Sequence, residues 1–205
     1  MAVERKTLTQ LSVPICLETL FYMLSGMVDT LMLSSVSDQA VGAVGTANTY
    51  IGVFIIMFGV ISSGMVAVMS QNIGAGRPGI AYQARQLGLL FNASTGILMS
   101  VILAFCSGRI LKVVSIAPAL LEPAETYLKI VGGACFLNAL IPIFSSYLRV
   151  FGYTKHSLIG TIVGNAVNII FNSVFLFVFK WGVMGVAVAT VISKVVNLII
   201  VAGMG

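Results

Sequence analysis

Long apolar segments alternate with short polar breaks along this sequence. Each segment holds about 20 or more mostly apolar residues, which is the length a helix needs to cross the hydrocarbon core of a bilayer. A helix is also the form in which such a segment satisfies its own backbone groups in lipid. We predict membrane helices over residues 8–34, 40–70, 86–108, 126–150, 157–179 and 183–205. The expected fold class is an all-α polytopic membrane protein with six transmembrane helices.

The composition supports a membrane protein. Hydrophobic residues make up 59% of the chain and charged residues 8%, whereas an ordinary soluble domain has about 25% charged residues. The mean hydropathy is +1.07, so the apolar surface must face lipid because too few charges remain to solvate it. A soluble enzyme and a nucleic-acid-binding protein are excluded. The bilayer itself is therefore an expected partner.

Basic residues are distributed unevenly between the two sides of the predicted bundle. The side that carries the N terminus has Arg5, Lys6, Arg77, Arg85, Arg149 and Lys155. The other side has fewer basic residues and more acids. The positive-inside rule then predicts a multi-pass protein of the cell membrane with a cytoplasmic N terminus. The last apolar segment stops at Gly205 without a polar flank, so we expect further chain beyond it.

Two acidic residues lie inside the first predicted helix. Glu18 and Asp29 are about 20° apart around a helix and about 16 Å apart along it. Tyr22 and Ser25 fall on the same face. Because an ionisable group at bilayer depth is costly unless it faces protein or water, we predict that this face turns toward an interior.

Three other predicted helices also carry a polar face. These faces are Asn138, Ser145 and Arg149 in the fourth helix, Thr161, Asn165, Asn168 and Asn172 in the fifth, and Thr190, Ser193, Lys194 and Asn197 in the sixth. We predict that the four polar faces surround a common interior and that Val, Ile, Leu and Phe face the lipid.

The polar faces have two interpretations. Interhelical hydrogen bonding is favoured for Ser and Thr. For Asp29 a function is favoured, because neutral groups would bond the helices at a lower desolvation cost, so a carboxylate indicates cation binding or proton uptake. Both interpretations stay open for Glu18, which lies nearer the cytoplasmic end. Lys194 is interpreted as structural, either neutralising a carboxylate or extending toward the cytoplasm, and His156 as a solvated loop residue.

Several short motifs follow one another in the order found in a transporter family. The first helices contain Pro14-Ile-Cys-Leu-Glu18, Gly26-Met-Val-Asp29-Thr30 and Ala40-Val-Gly-Ala-Val-Gly45. Later segments contain Gln71-Asn-Ile-Gly74-Ala75, Leu148-Arg149-x-x-Gly152, Asn168-Ile-Ile-Phe-Asn172 and Gly182-Val-Met-Gly185-Val-Ala-Val-Ala189-Thr190. Each motif is weak alone, but together they extend across the whole chain. The sequence resembles the N-terminal half of a multidrug and toxic compound extrusion (MATE) transporter.

The resemblance implies a twelve-helix antiporter built from two six-helix lobes. Residues 1–205 would form the N-terminal lobe, and its partner would be the C-terminal lobe of the same protein. The matching positions of the coupling cluster are Asp29, Asn168, Asn172 and Thr190, which are also the candidate ligands of a sodium ion. Asn172 stands where some members have a second Asp, and Lys194 stands where a neutral polar residue is expected.

We therefore expect a secondary active exporter that is not an enzyme. It would export a small molecule, an organic cation or amphipathic compound, in exchange for protons or sodium by alternating access, with no other cofactor. Asp29 is the expected coupling residue. The candidate cavity-lining residues are Glu18, Tyr22, Ser25, Asn138, Asn165 and Lys194.

Three alternatives remain. A lipid-linked saccharide flippase of a related fold would need more basic residues in the cavity than Arg149 and Lys194. An intramembrane enzyme would need a nucleophile with a base, or a pair of metal ligands, which the lone His156 and the scattered cysteines do not supply. A structural membrane protein would not need Asp29 to change state.

Overall fold

The structure is a computed structural model that describes residues 7–204, and within these residues it contains helices but no strand. The α-helices are α1 Leu8–Ser34, α2 Asp38–Gly74, α3 Pro78–Val113, α4 Pro118–Tyr127, α5 Cys135–Val150, α6 Thr154–Ser173 and α7 Gly182–Gly203. Five of them are long and apolar enough to cross a membrane, and α4 and α5 with the turn between them make a bent sixth span. The predicted fold class is confirmed. The predictions for Arg5, Lys6 and Gly205 lie outside the described residues.

Helices α2 and α3 are longer than the segments predicted over residues 40–70 and 86–108. They contain 37 and 36 residues, which corresponds to about 55 Å at 1.5 Å per residue. The hydrocarbon core is only about 30 Å thick, so both helices tilt or extend beyond it. Helix α3 begins at Pro78, a residue that suits the first turn of a helix. The hydropathy pattern marked only the most apolar part of each helix.

The fourth predicted span, over residues 126–150, is two helices rather than one. A π-helical turn, Leu128–Gly132, follows α4, and the chain then bends by 43° before α5. The bend lies at Gly133 and Ala134, whereas Pro142 lies inside α5. At the break, the Phe136 N–H donates to Ser100 Oγ at 2.9 Å. A side chain of α3 therefore satisfies a backbone group close to the bend, as a broken helix in lipid requires.

Close packing joins α6 to α7. A Cβ at Gly160 would lie 2.8 Å from Asn197 Oδ1, and one at Gly164 would lie 3.3 Å from the Ser193 carbonyl oxygen. The two glycines thus let the helices approach through small residues. A second π-helical turn, Val174–Val178, ends the span, so α6 and its turn cover 154–178 and α7 covers 182–203, against the predicted 157–179 and 183–205.

The packing order places α1 against α6, and α6 against α7, while α3 lies against α2 and α5. Asn92 on α3 is fully buried and donates to the Ala139 carbonyl at 2.9 Å and to the Phe58 carbonyl at 3.3 Å, tying α5 and α2 together. On the other side of the bundle, α6 places Asn172 against Asp29 and Ser157 against Glu18 of α1.

Candidate functional site

Asp29 lies part-buried on α1 and is held by α6. The Asn172 side-chain amide donates to Asp29 Oδ1 at 2.5 Å. Asn172 is 0% exposed, so the donor of this hydrogen bond is fully buried. A buried hydrogen bond to a charged group is strong and directional. The contact fixes the Asp29 carboxylate toward the interior of the described bundle.

Asn168 lies one helical turn before Asn172 on α6 and is bonded to the same amide group. The same Asn172 nitrogen also donates to Asn168 Oδ1, at 3.1 Å. The amide NH₂ group therefore lies between one carboxylate oxygen and one amide oxygen. Asn172 Oδ1 is buried and accepts no hydrogen bond from the described residues. Three of the four residues predicted for the coupling cluster thus lie together.

Thr190, the fourth predicted residue, reaches the cluster indirectly. Its hydroxyl donates to the Val186 carbonyl at 2.8 Å within α7. Its side chain also hydrogen-bonds with the phenol of Tyr127. The Tyr127 phenol in turn interacts electrostatically with the Asp29 carboxylate. Tyr127 is buried at the end of α4 and interacts with Asn48 of α2 as well. Sequence reasoning missed Tyr127 and Asn48, because no periodicity shows which helices face the end of α4.

Lys194 brings a positive charge into the same interior. It is part-buried on α7, and its ammonium lies within electrostatic range of the Asp29 carboxylate and the Cys135 thiol. It forms no ion pair within 4.0 Å with a carboxylate of the described residues. Asp29 and Lys194 of the candidate site therefore interact electrostatically without forming a direct ion pair.

Glu18 belongs to a second polar cluster, one to which the sequence had assigned no partner. Its Oε1 atom lies 2.8 Å from Arg149 Nη2 and accepts a hydrogen bond from Ser157 Oγ at 2.8 Å. Glu18 is only 8% exposed, so it is buried in the lobe although it lies nearer the predicted cytoplasmic end of α1. The packing of α1 against α6 buries this carboxylate, and Arg149 at the end of α5 supplies its countercharge.

The remaining candidates are distributed between interior and surface. Asn165 donates to the Phe21 carbonyl at 2.6 Å and so bonds α6 to α1. Asn138 is buried beside Cys135, with its amide nitrogen unpaired among the described residues. Ser25 is half-buried, whereas Tyr22 is 57% exposed and lies on the surface of the bundle.

His156 departs from its prediction as a solvated loop residue. It lies in the first turn of α6, is half-buried, and its ring packs edge-on against Tyr153 at 5.5 Å between centroids. The loop between α5 and α6 is shorter than the hydropathy pattern predicted, because α6 begins at Thr154 and therefore includes His156.

The oxygen atoms around Asp29 match a small hard cation in type but not in arrangement. Hard cations are bound by carboxylate, carbonyl and water oxygens. Here the space between Asp29 Oδ1 and Asn168 Oδ1 is bridged by the Asn172 NH₂ group. Among the described residues, no group of three or more His, Cys, Asp or Glu could hold a metal ion. In this arrangement the Asp29 carboxylate is held by an internal donor, the Asn172 amide.

Comparison with known proteins gives the family. The MatE family profile matches residues 14–174. The uncharacterized transporter YisQ of Bacillus subtilis is 36% identical over 94% of this chain and 43% of its own length. The probable multidrug resistance protein NorM of Thermotoga maritima is 27% identical over 94% of this chain and 42% of its own length.

Solved structures show the same fold. A MATE transporter crystallised in the bent conformation matches with a TM-score of 0.86 at 20% identity, over 95% of this chain and 43% of that chain. An outward-facing multidrug resistance MATE transporter of the MOP superfamily gives the same values. This chain therefore spans a little under half the length of the relatives that it matches. With a family profile over most of its residues and a relative more than one-third identical, this chain belongs to the MatE family.

Proposed function

We propose that this chain is the N-terminal lobe of a secondary active antiporter in the cell membrane. The antiporter exports small molecules in exchange for protons or sodium ions, and the second lobe is the C-terminal part of the same protein. The family membership supports transport, and the polytopic helical fold supports a membrane location. Alternating access follows from two lobes that rock around a shared polar interior.

One observation carries the proposal, namely the setting of Asp29. Its carboxylate is part-buried at membrane depth and is held by a fully buried amide, Asn172. Holding a charged carboxylate away from water is costly, so the charge is favoured only while internal donors or a bound cation compensate it. Binding and release of a cation at Asp29 would change this balance and thereby favour one conformation of the lobe over the other.

The expected substrate is an organic cation or an amphipathic small molecule. The relatives from Thermotoga maritima and Pseudomonas aeruginosa are called multidrug resistance proteins, which supports this substrate class. The apolar helices around a few polar groups suit an amphipathic molecule better than a strongly hydrated one. A substrate cation and a coupling cation would then use the same Asp29 carboxylate at different stages of the cycle.

A flippase for lipid-linked saccharides is less well supported. Such a protein would need basic residues free to bind phosphate. Arg149 is already paired with Glu18 at 2.8 Å, which leaves Lys194 as the basic residue near the candidate site. The exporter therefore remains the better interpretation of these contacts.

The test is an Asp29→Asn substitution in the full-length protein. The amide side chain keeps the shape of the carboxylate and still accepts a hydrogen bond from Asn172, so the protein should reach the membrane at wild-type levels. Because the amide cannot exchange a cation, gradient-driven export of an amphipathic cationic dye should fall to background.

Asp38→Asn is the matched control. Asp38 is exposed at the start of α2, so the same chemical change there should leave dye export unchanged. Wild-type export by the Asp29→Asn variant under an imposed proton or sodium gradient would contradict the proposed role of Asp29.

A further inference from the structure

Helix α1 is held against α6 by three polar contacts. It packs more extensively against α6 than against α2 or α7, and only 11% of its apolar window is buried. Between helices in lipid there is no hydrophobic driving force, because lipid tails are as apolar as the side chains. The position of α1 along α6 therefore depends mainly on its polar contacts. These are Glu18 with Ser157, the Phe21 carbonyl with Asn165, and Asp29 with Asn172.

A second set of polar side chains lies one helical turn from these three partners, toward the start of α6. Residues three or four apart are neighbours on the same face of a helix. Each member of the second set is a hydrogen-bond donor, and each is buried. The set consists of Thr154 before Ser157, Thr161 before Asn165, and Asn168 before Asn172.

The Thr154 hydroxyl has no role in the observed contacts. Thr154 is 1% exposed, and its Oγ1 atom has no hydrogen-bond partner among the described residues. A buried hydroxyl without a partner costs free energy. One turn further along the same face, the Ser157 hydroxyl bonds to Glu18 Oε1 at 2.8 Å. Glu18 Oε2 is buried and likewise has no hydrogen-bond partner in this part of the structure.

A shift of α1 by one turn toward the start of α6 exchanges each partner for another donor. Glu18 then passes from the Ser157 hydroxyl to the Thr154 hydroxyl, which satisfies the unpartnered group. The long side chain of Arg149, which pairs with Glu18 and is 32% exposed, has the length to follow the carboxylate.

The other two contacts also find donors after such a shift. Asp29 passes from the Asn172 amide to the Asn168 amide, which is the same chemical group. The Phe21 carbonyl passes from an amide to the Thr161 hydroxyl. The polar face of α6 therefore offers α1 two sets of partners that differ by one helical turn.

The end of α1 is suited to absorb this movement. One helical turn is 5.4 Å, and a residue that unwinds from helix to extended chain adds about 1.8 Å. Unwinding about three residues thus supplies the whole shift. At this end, the Ser34 and Ser35 hydroxyls bond to the carbonyls of Leu31 and Met32 at 2.8 and 2.7 Å. Side-chain bonds of this kind compete with regular helical hydrogen bonds.

We propose that α1 has two registers on α6, one helical turn apart, and that the lobe alternates between them during transport. The first register is the observed one. The second register pairs Glu18 with Thr154, the Phe21 carbonyl with Thr161, and Asp29 with Asn168. This inference rests on the proposed antiport function and describes a movement within it. One-turn shifts between two packed arrangements are a known form of conformational switch.

Thr154 is then a positioning residue that acts only in the second register. In the full-length protein, Thr154→Val and Thr154→Ala remove a hydroxyl that has no partner in the first register, so the unfolding midpoint should stay at the wild-type value or rise. A hydrogen bond to a charged group changes an equilibrium about tenfold or more. The population of the second register, and with it the rate of dye export, should therefore fall about tenfold.

Two variants serve as controls for this measurement. Thr154→Ser keeps the hydroxyl and should retain export. Thr19→Val changes an exposed threonine on α1 whose hydroxyl bonds only to the Ile15 carbonyl of its own helix. It should export dye at the wild-type rate.

A second experiment measures the register itself by pulsed electron paramagnetic resonance. Spin labels are placed on the exposed residues Leu20, Lys155 and Ile170, in full-length protein without other cysteines. A slide into the second register shortens the distance from Leu20 to Lys155 and lengthens the distance from Leu20 to Ile170, each by up to about 5 Å. Opposite changes distinguish a slide from a separation of the two helices.

Ser157→Ala shifts the equilibrium without any ligand. It removes a partner of Glu18 only in the first register, so both label distances should move toward the second register. Adding Thr154→Val removes the alternative partner and should reverse the shift.

Unchanged label distances in Ser157→Ala, or wild-type export by Thr154→Val and Thr154→Ala, would overturn the two registers. In either case an Asp29-coupled antiporter still stands. Export by Asp29→Asn at the wild-type rate overturns the proposed function instead, whatever the label distances are.

Discussion

Removing the countercharge of Glu18 should strongly destabilise this lobe. Glu18 Oε1 accepts from both Arg149 Nη2 and Ser157 Oγ at 2.8 Å, while Oε2 is buried and has no hydrogen-bond partner among the described residues. In the Arg149→Met variant the carboxylate stays buried and keeps only the hydroxyl contact. Breaking a buried ion pair from one side costs about 3–5 kcal/mol. We expect about 3 kcal/mol, the lower end of that range, because the Arg149 side chain is 32% exposed and water reaches the pair.

The reverse substitution should cost less. Glu18→Gln keeps an oxygen that can accept from Ser157, and it leaves a guanidinium that can turn toward water, so we expect a loss of about 1 kcal/mol. Independent effects would add to about 4 kcal/mol in the double variant. Because the double variant leaves no buried unpaired charge, its loss should be about 2 kcal/mol, which gives a coupling energy of about 2 kcal/mol.

The assay is unfolding of the purified protein in mixed micelles by increasing sodium dodecyl sulfate. Lys129→Met is the matched control, because Lys129 pairs with Glu125 at 2.6 Å on the surface, with half of its side chain exposed. Such exposed pairs contribute about 0.5 kcal/mol or less. Equal losses for Lys129→Met and Arg149→Met, or additive losses in the double variant, would refute the argument that burial makes this pair important.

Three other predictions follow from packing, charge distribution and lobe structure. Gly96→Ala should destabilise the protein by about 1–3 kcal/mol, because its Cβ would lie 2.6 Å from a neighbouring side chain and 3.0 Å from backbone on the bent span, whereas Gly26→Ala, with no atom within 4 Å, should not; equal unfolding midpoints would contradict this. A reporter in the loop between α2 and α3 should report cytoplasm, and one between α1 and α2 the outside; the reverse result would invert the topology. The 205-residue chain reconstituted alone should not export dye, because alternating access needs a second bundle; export by it would indicate a self-pairing half-transporter.

Helical periodicity and the cost of buried charge predicted part of the site. Glu18 and Asp29 share a face of α1, and both point toward α6 as that face requires. Asn168 and Asn172 are one turn apart, which predicts that their side chains meet, and they do. These relations are local to one helix or follow from the free-energy cost of exposing polar groups to lipid. They can therefore be predicted from the sequence.

Contacts between helices distant in sequence could not be predicted in the same way. The pairing of Glu18 with Arg149, the position of Tyr127 near Asp29 and the bend before α5 depend on how the helices pack. Hydropathy describes how apolar a segment is and not which neighbour it meets. The same limit applies to Lys194, whose electrostatic interaction with Asp29 depends on how α7 packs in the bundle.

The most direct test of the central claim measures cation movement driven by substrate. The full-length protein is reconstituted in liposomes that contain a pH-sensitive dye, without an imposed gradient, and a cationic substrate is added outside. Entry of the substrate through an Asp29-coupled antiporter must move the coupling cation outward. With protons as that cation, the lumen should become alkaline with wild-type protein and with Asp38→Asn, but not with Asp29→Asn. Substrate entry coupled to an equal pH change in the Asp29→Asn variant would contradict the claim that Asp29 couples transport.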